Sequence, residues 1–138
     1  MFKILENIAN DKYKIENFYN IRIQSEKESR TESNNYECNL DEIYQKISKH
    51  IKNKNILKEL KQTEIDLEKE FCVANPFMKY IYDYCIKKNK KIVLISDMYL
   101  NEKNILDILN KAGYKNVSLY LSNKYHENKG TSKLYEIV

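Results

Sequence analysis

Residues 90–100 read KKIVLISDMYL. Two lysines are followed by four apolar, mostly β-branched residues, Ile92 to Ile95, and the pattern then switches abruptly to Ser96-Asp97. A short apolar run bounded by polar residues predicts a strand buried on both faces, as in a parallel sheet. In open α/β sheets ligands sit beyond the carboxyl ends of the strands. Ser96 and Asp97 are therefore the first candidates for chemistry.

Downstream, Asn101 is placed to cap a helix that contains Ile105, Leu106, Ile108 and Leu109, and Gly113 is placed to close it in a left-handed conformation. Residues 117–121 form a second short apolar run. Strand, helix and strand in this order predict a right-handed βαβ unit with parallel strands. A polar segment, 122–128, leads to Lys129-Gly130-Thr131 and a final helix over 132–138. Ser96 and Lys129 thus each follow one of two neighbouring parallel strands. A hydroxyl and an ammonium there can hold two oxygens of a phosphoryl group, one by hydrogen bonding and one as a point cation. Lys129 is also expected near the N terminus of the last helix, where free N–H groups favour anions.

Upstream of residue 90 the pattern is helical. Phe2, Leu5, Ile8 and Ala9 suit a first helix that ends where Asp11-Lys12 interrupts it. Ile15, Phe18, Tyr19, Arg22, Ile23 and Glu26 give a second, from about residue 14. Arg22, Glu26 and Arg30 recur every four residues, which predicts a solvated salt-bridge ladder, with closure over a substrate as the alternative. Residues 31–39 read as a loop, and Asn39 with Asp41 and Glu42 as the start of a third helix carrying Ile43, Tyr44 and Ile47. A fourth, over about 56–71, carries Glu64, Glu68 and Glu70, taken as a wet face and not a metal site. Asn75-Pro76 starts a fifth, in which Phe77, Tyr80, Ile81, Tyr84 and Cys85 are expected to face the core.

The bulk numbers narrow the classes of function. The chain has 138 residues, 42% hydrophobic and 32% charged, with a formal net charge of +4, which suits a folded domain and a mild basicity. Almost all of the cations are lysines, Arg22 and Arg30 being the only arginines, which argues against sequence-specific nucleic-acid binding. Cys38, Cys72 and Cys85 are widely spaced and odd in number, with no CxxC or Cys/His pattern, so neither a zinc site nor a disulfide framework is indicated. They read as reduced thiols of a cytoplasmic protein. No apolar run approaches the roughly 18 residues of a membrane span, and no signal-peptide core is present.

Several of these strings together resemble a known family. Ile95-Ser96-Asp97-Met98-Tyr99-Leu100, Gly113-Tyr114, Leu121-Ser122 and Lys129-Gly130-Thr131-Ser132-Lys133-Leu134-Tyr135 are similar to the haloacid dehalogenase (HAD) superfamily of hydrolases, and to a bacterial subgroup with an SDMYL strand end. The upstream residues Phe18, Arg22, Glu26, Arg30, Leu40 to Tyr44 and Asn75-Pro76 resemble that subgroup's helical cap. The resemblance implies an α/β chain: a helical cap-like region over 1–88, then a partial Rossmann-like, HAD-type parallel sheet over 89–138. It implies phosphoryl binding by Ser96, Asp97 and Lys129, with Ser96 and Lys129 in the catalytic machinery, a phosphorylated small molecule as ligand, and Mg²⁺ in the complete family. The family's nucleophilic Asp-x-Asp and its acidic fourth motif have no counterpart in residues 1–138. The expectation is a phosphohydrolase fragment that is inactive and does not hold Mg²⁺ alone. Two other readings stand beside it. One is a non-catalytic interaction module whose incomplete sheet edge is closed by self-association or a partner chain; the other is a Ser96–Lys129 acyl-transfer pair.

Overall fold

The computed structural model describes residues 1–33 and 35–138. The chain is mixed α/β, mostly helical, with one small parallel sheet. It divides into two compact units, Met1–Phe71 and Cys72–Val138. The division expected after residue 88 thus falls earlier, and the fifth helix belongs with the sheet. No helix among the described residues is long and apolar enough to cross a membrane.

The first unit holds α1 (Phe2–Tyr13), α2 (Phe18–Glu32), α3 (Leu40–Ile47) and α4 (Lys54–Phe71). Helix α1 runs straight through Asp11-Lys12, because both side chains lie on its exposed side and nothing in them breaks a helix; it ends at Lys14, which is left-handed (φ 58°). Helix α2 begins at Phe18 and continues to Glu32, into the segment read as a loop; the Asn34 part of that segment lies outside the described residues. Helix α3 starts as its sequence predicts. Asn39 Oδ1 accepts the Glu42 N–H at 3.0 Å, and Glu42 Oε2 accepts the Asn39 N–H at 2.8 Å, a reciprocal capping box. Leu5, Ala9, Phe18, Ile43, Ile47 and Leu60 are fully buried. Each larger side chain among them contributes about 1.5–3 kcal/mol by leaving water.

That core also contains charge. Arg22 and Glu64 are both fully buried, so neither the wet ladder nor the wet carboxylate face expected for them is found. Arg22 Nη2 and Nε donate to Glu64 Oε1 at 2.7 and 2.9 Å, Nη1 donates to Glu26 Oε2 at 2.9 Å, and the Tyr44 hydroxyl donates to Glu64 Oε2 at 2.9 Å. Arg30 Nε donates to the other Glu26 oxygen at 2.9 Å. A four-residue spacing on α2 is compatible with either environment, and α4 supplies the buried counter-charge. Burial tends to raise the Glu26 carboxyl, but hydrogen bonds and charge from Arg22 and Arg30 bring it below its ordinary value.

A lowered carboxyl in the folded state contributes stability above the unfolded value, about 4.3, and loses it as the pH falls through the folded value. The urea midpoint of the native chain should therefore exceed that of Glu26→Gln at neutral pH, and the gap should close below about pH 4. A gap that stays constant from pH 7 to 3 would show that Glu26 is not held by these arginines.

The second unit holds α5 (Pro76–Lys87), β1 (Val93–Ser96), α6 (Glu102–Lys111), β2 (Ser118–Leu121), and the single turns α7 (Ser122–Tyr125) and α8 (Lys133–Glu136). The caps read from sequence are present: Asn75 Oδ1 accepts from the N–H groups of Phe77 and Met78, and Asn101 Oδ1 from that of Asn104. β1 and β2 are parallel, with Val93 opposite Ser118 and Ser96 opposite Leu121. Gly113 is left-handed (φ 82°) at the end of α6, and a Cβ there would meet Lys79 Cε at 3.0 Å. The Tyr82 hydroxyl ties α5 to the α6–β2 turn, accepting the Lys115 N–H at 2.8 Å and donating to its carbonyl at 2.5 Å.

Two expectations fail in this unit. β1 is half-buried along its length instead of covered on both faces, and β2 is its one paired strand among the described residues. The aromatic stripe of α5 does not face a core: Phe77, Tyr80 and Tyr84 are 68, 69 and 55% exposed, and no residue of α5 is fully buried. The apolar residues that are buried here, Tyr99, Leu100, Ile105, Ile108, Leu121 and Leu134, lie at the strand ends, on α6 and in α8.

Candidate functional site

The candidate site lies at the carboxyl ends of β1 and β2. β-Branched residues favour the extended chain through Ile95, and β1 ends on Ser96. The turn that follows is anchored by Tyr99 and Leu100, both buried. It is also pinned from β2's side: Asn123 Nδ2 donates to the carbonyls of Met98 and Leu100 at 2.6 and 2.8 Å. These bonds fix residues 97–100 against the start of α7 and hold Asp97 at the strand tip.

Lys129 reaches the same tip from the loop after α7. Its N–H donates to Asp97 Oδ1 at 3.3 Å, and its Nζ lies 4.0 Å from Asp97 Oδ2. The loop carrying it is shaped by Asn128, whose Oδ1 accepts the Thr131 N–H at 3.0 Å and whose carbonyl accepts from the Thr131 hydroxyl at 3.1 Å. Asp97 and Lys129 are 32 residues apart in sequence, and the parallel pairing of β1 and β2 brings them together. Their side chains are 32 and 40% exposed, so the pair faces solvent and is weakly held.

Ser96 stands at the end of the same strand, half-buried, and among the described residues its hydroxyl has no hydrogen bond to Asp97 or Lys129. An acyl-transfer pair would need Lys129 Nζ on that hydroxyl, whereas Nζ sits beside Asp97. Helix α8 is one turn long and Lys129 lies four residues before it, so the anion-attracting N terminus expected beside Lys129 is not formed. Sequence reasoning missed Asn123. Its signal was slight, an amide directly after the strand-end serine Ser122, itself fully buried.

The chemistry open to this arrangement is anion binding. A solvent-facing lysine whose ion-pair partner among the described residues is a loosely placed carboxylate can turn to an incoming anion at little cost. The described residues contain no group of three or more potential metal ligands; Asp97 is engaged by Lys129, Glu102 by Lys124 at 2.9 Å, and Glu127 by Lys133 at 3.5 Å. In the other unit burial, chiefly, pushes the Cys38 thiol up to about 11, away from the thiolate form that reacts. An apolar groove of about 280 Å³ lies elsewhere in the second unit, lined by Ile81, Cys85, Ile92, Val93, Leu94 and Leu109.

Neither the protein-family models nor the curated proteins compared with this chain give a match.

Proposed function

We propose that the second unit is a phosphate-binding half of a HAD-type phosphohydrolase site, with Lys129 as the cation, Ser96 as the hydroxyl donor and Asp97 as the residue that positions Lys129. The observation that carries this reading is the meeting of Lys129 with Asp97 at the carboxyl ends of two parallel strands, through both its N–H and its ammonium. That is where open α/β sheets bind ligands. The chain's own residues bind and orient the phosphoryl group in this reading. In this reading they do not cleave it, since residues 1–138 hold no counterpart of the family's nucleophilic Asp-x-Asp.

Inorganic phosphate titrated into the isotope-labelled chain should shift the amide resonances of Ser96, Asp97 and Lys129 together, and Lys129→Ala should abolish the saturable shift. Saturable binding left intact by Lys129→Ala would remove the reading. Hydrolysis of p-nitrophenyl phosphate with Mg²⁺ present should stay at background; turnover that disappears in Lys129→Ala would overturn the view that the missing carboxylates are indispensable.

A further inference from the structure

We propose that this chain forms a two-fold dimer in which β1 pairs antiparallel with β1 of a second copy, Leu94 facing Leu94 across the axis and Lys91 facing Asp97. Strand β1 has β2 as its one neighbour among the described residues. The Ser118 N–H donates to the Ile92 carbonyl at 3.1 Å, in the register that sets Val93 beside Ser118. In a parallel ladder this turns the N–H and C=O groups of Ile92, Leu94 and Ser96 toward β2, and those of Val93 and Ile95 toward the open edge. An open edge of this kind is a template for another strand.

The direction of those groups restricts the register. In an antiparallel pair, residues that face each other both turn their backbone groups inward or both outward. Three central registers satisfy this for two copies of β1. With Val93 facing Val93, Lys91 falls opposite Ile95. With Ile95 facing Ile95, Asp97 falls opposite Val93. With Val93 facing Ile95, the apolar residues face each other, Leu94 meets Leu94, and each Lys91 meets an Asp97. Only the last places charge against opposite charge, and it does so twice by symmetry.

That self-complementarity, basic at one end, acidic at the other and apolar between, is the reason to assign the edge to a second copy. The same unit also exposes Phe77, Tyr80 and Tyr84 on α5. The register shares Asp97 with the proposed phosphate site, so the two readings are separated by variants outside that overlap, Lys91→Glu for the pairing and Lys129→Ala for phosphate.

Sedimentation equilibrium of the native chain from low micromolar to millimolar concentration tests it. The mean mass should rise from 16.6 kDa toward twice that value, less so at high salt. Lys91→Glu, which sets like charges opposite each other at both ends, should weaken the dimer about tenfold. The register is read by disulfide capture in a background with Cys38, Cys72 and Cys85 replaced by alanine. Leu94→Cys should oxidise to a covalent dimer, since facing Cα atoms in such a pair are about 4.5 Å apart; Ile92→Cys, facing Ser96, should not. A mass of 16.6 kDa at every concentration overturns the dimer. Equal capture at 92 and 94, or capture at neither in a chain that sediments as a dimer, overturns the register.

Discussion

Glu64→Ala is expected to cost the amino-terminal unit about 3–5 kcal/mol, because it leaves the Arg22 guanidinium buried without its principal counter-charge. Glu64 accepts from Arg22 through Nε and Nη2, and also from the Tyr44 hydroxyl. Truncation strips three donors of their acceptor in a place water does not reach. Glu26 remains, but it holds only Nη1 and is shared with Arg30. Against a total stability of about 5–15 kcal/mol for an ordinary domain, the loss should bring the urea midpoint near to zero denaturant or unfold the unit at room temperature. The double variant Arg22→Met/Glu64→Leu removes both charges and refills the space, and should recover most of that loss. Glu59→Ala, which breaks an exposed pair with Lys12, is the control and should leave the midpoint almost unmoved. Equal midpoints for Glu64→Ala and Glu59→Ala would mean that the charges of α2 and α4 are solvated after all.

In the carboxyl-terminal unit the largest effect is expected from Leu121→Ala, at about 2–5 kcal/mol. Leu121 is fully buried, ends β2 and stands opposite Ser96 in the ladder. A cavity at that point loosens the strand tip on which Asp97, Asn123 and Lys129 depend. The comparison that gives the experiment its edge is Tyr80→Ala. Tyr80 is the larger residue and belongs to the stripe that periodicity would place in a core, yet it is 69% exposed. Its truncation should change the stability by less than about 0.5 kcal/mol. Thermal or urea denaturation of the two variants side by side decides the matter. If Tyr80→Ala were the costlier change, α5 would have to pack with its aromatic face inward.

Much of the fold was readable because it rests on local signals. A β-branched run fixed β1, side-chain caps at Asn39, Asn75 and Asn101 fixed three helix starts, and the strand–helix–strand order implied the parallel pairing that is found. The failures share one cause, which is that a helix stripe states its period and not its partner. Arg22, Glu26 and Arg30 have the same spacing on a wet surface as in a core; what decides is Glu64, 42 residues beyond Arg22. Phe77, Tyr80 and Tyr84 have the spacing of a packed face, but all three are exposed, and the sheet of their unit is two strands wide among the described residues. At the candidate site the arrival of Lys129 at the end of β1 followed from topology, but its contact with Asp97 in place of Ser96 did not. The Asn123 bonds did not, since they depend on how the turn after β1 closes.

Those two bonds make the amide nitrogen of Asn123 irreplaceable by oxygen. Both are donated from Nδ2 to main-chain carbonyls, and an aspartate has no hydrogen to give at neutral pH. Deamidation during storage would turn a clasp into a repulsion between a carboxylate and two carbonyl oxygens, at the turn that carries Asp97. A change of one mass unit would then unfasten the strand tip while leaving every apolar contact of the unit in place.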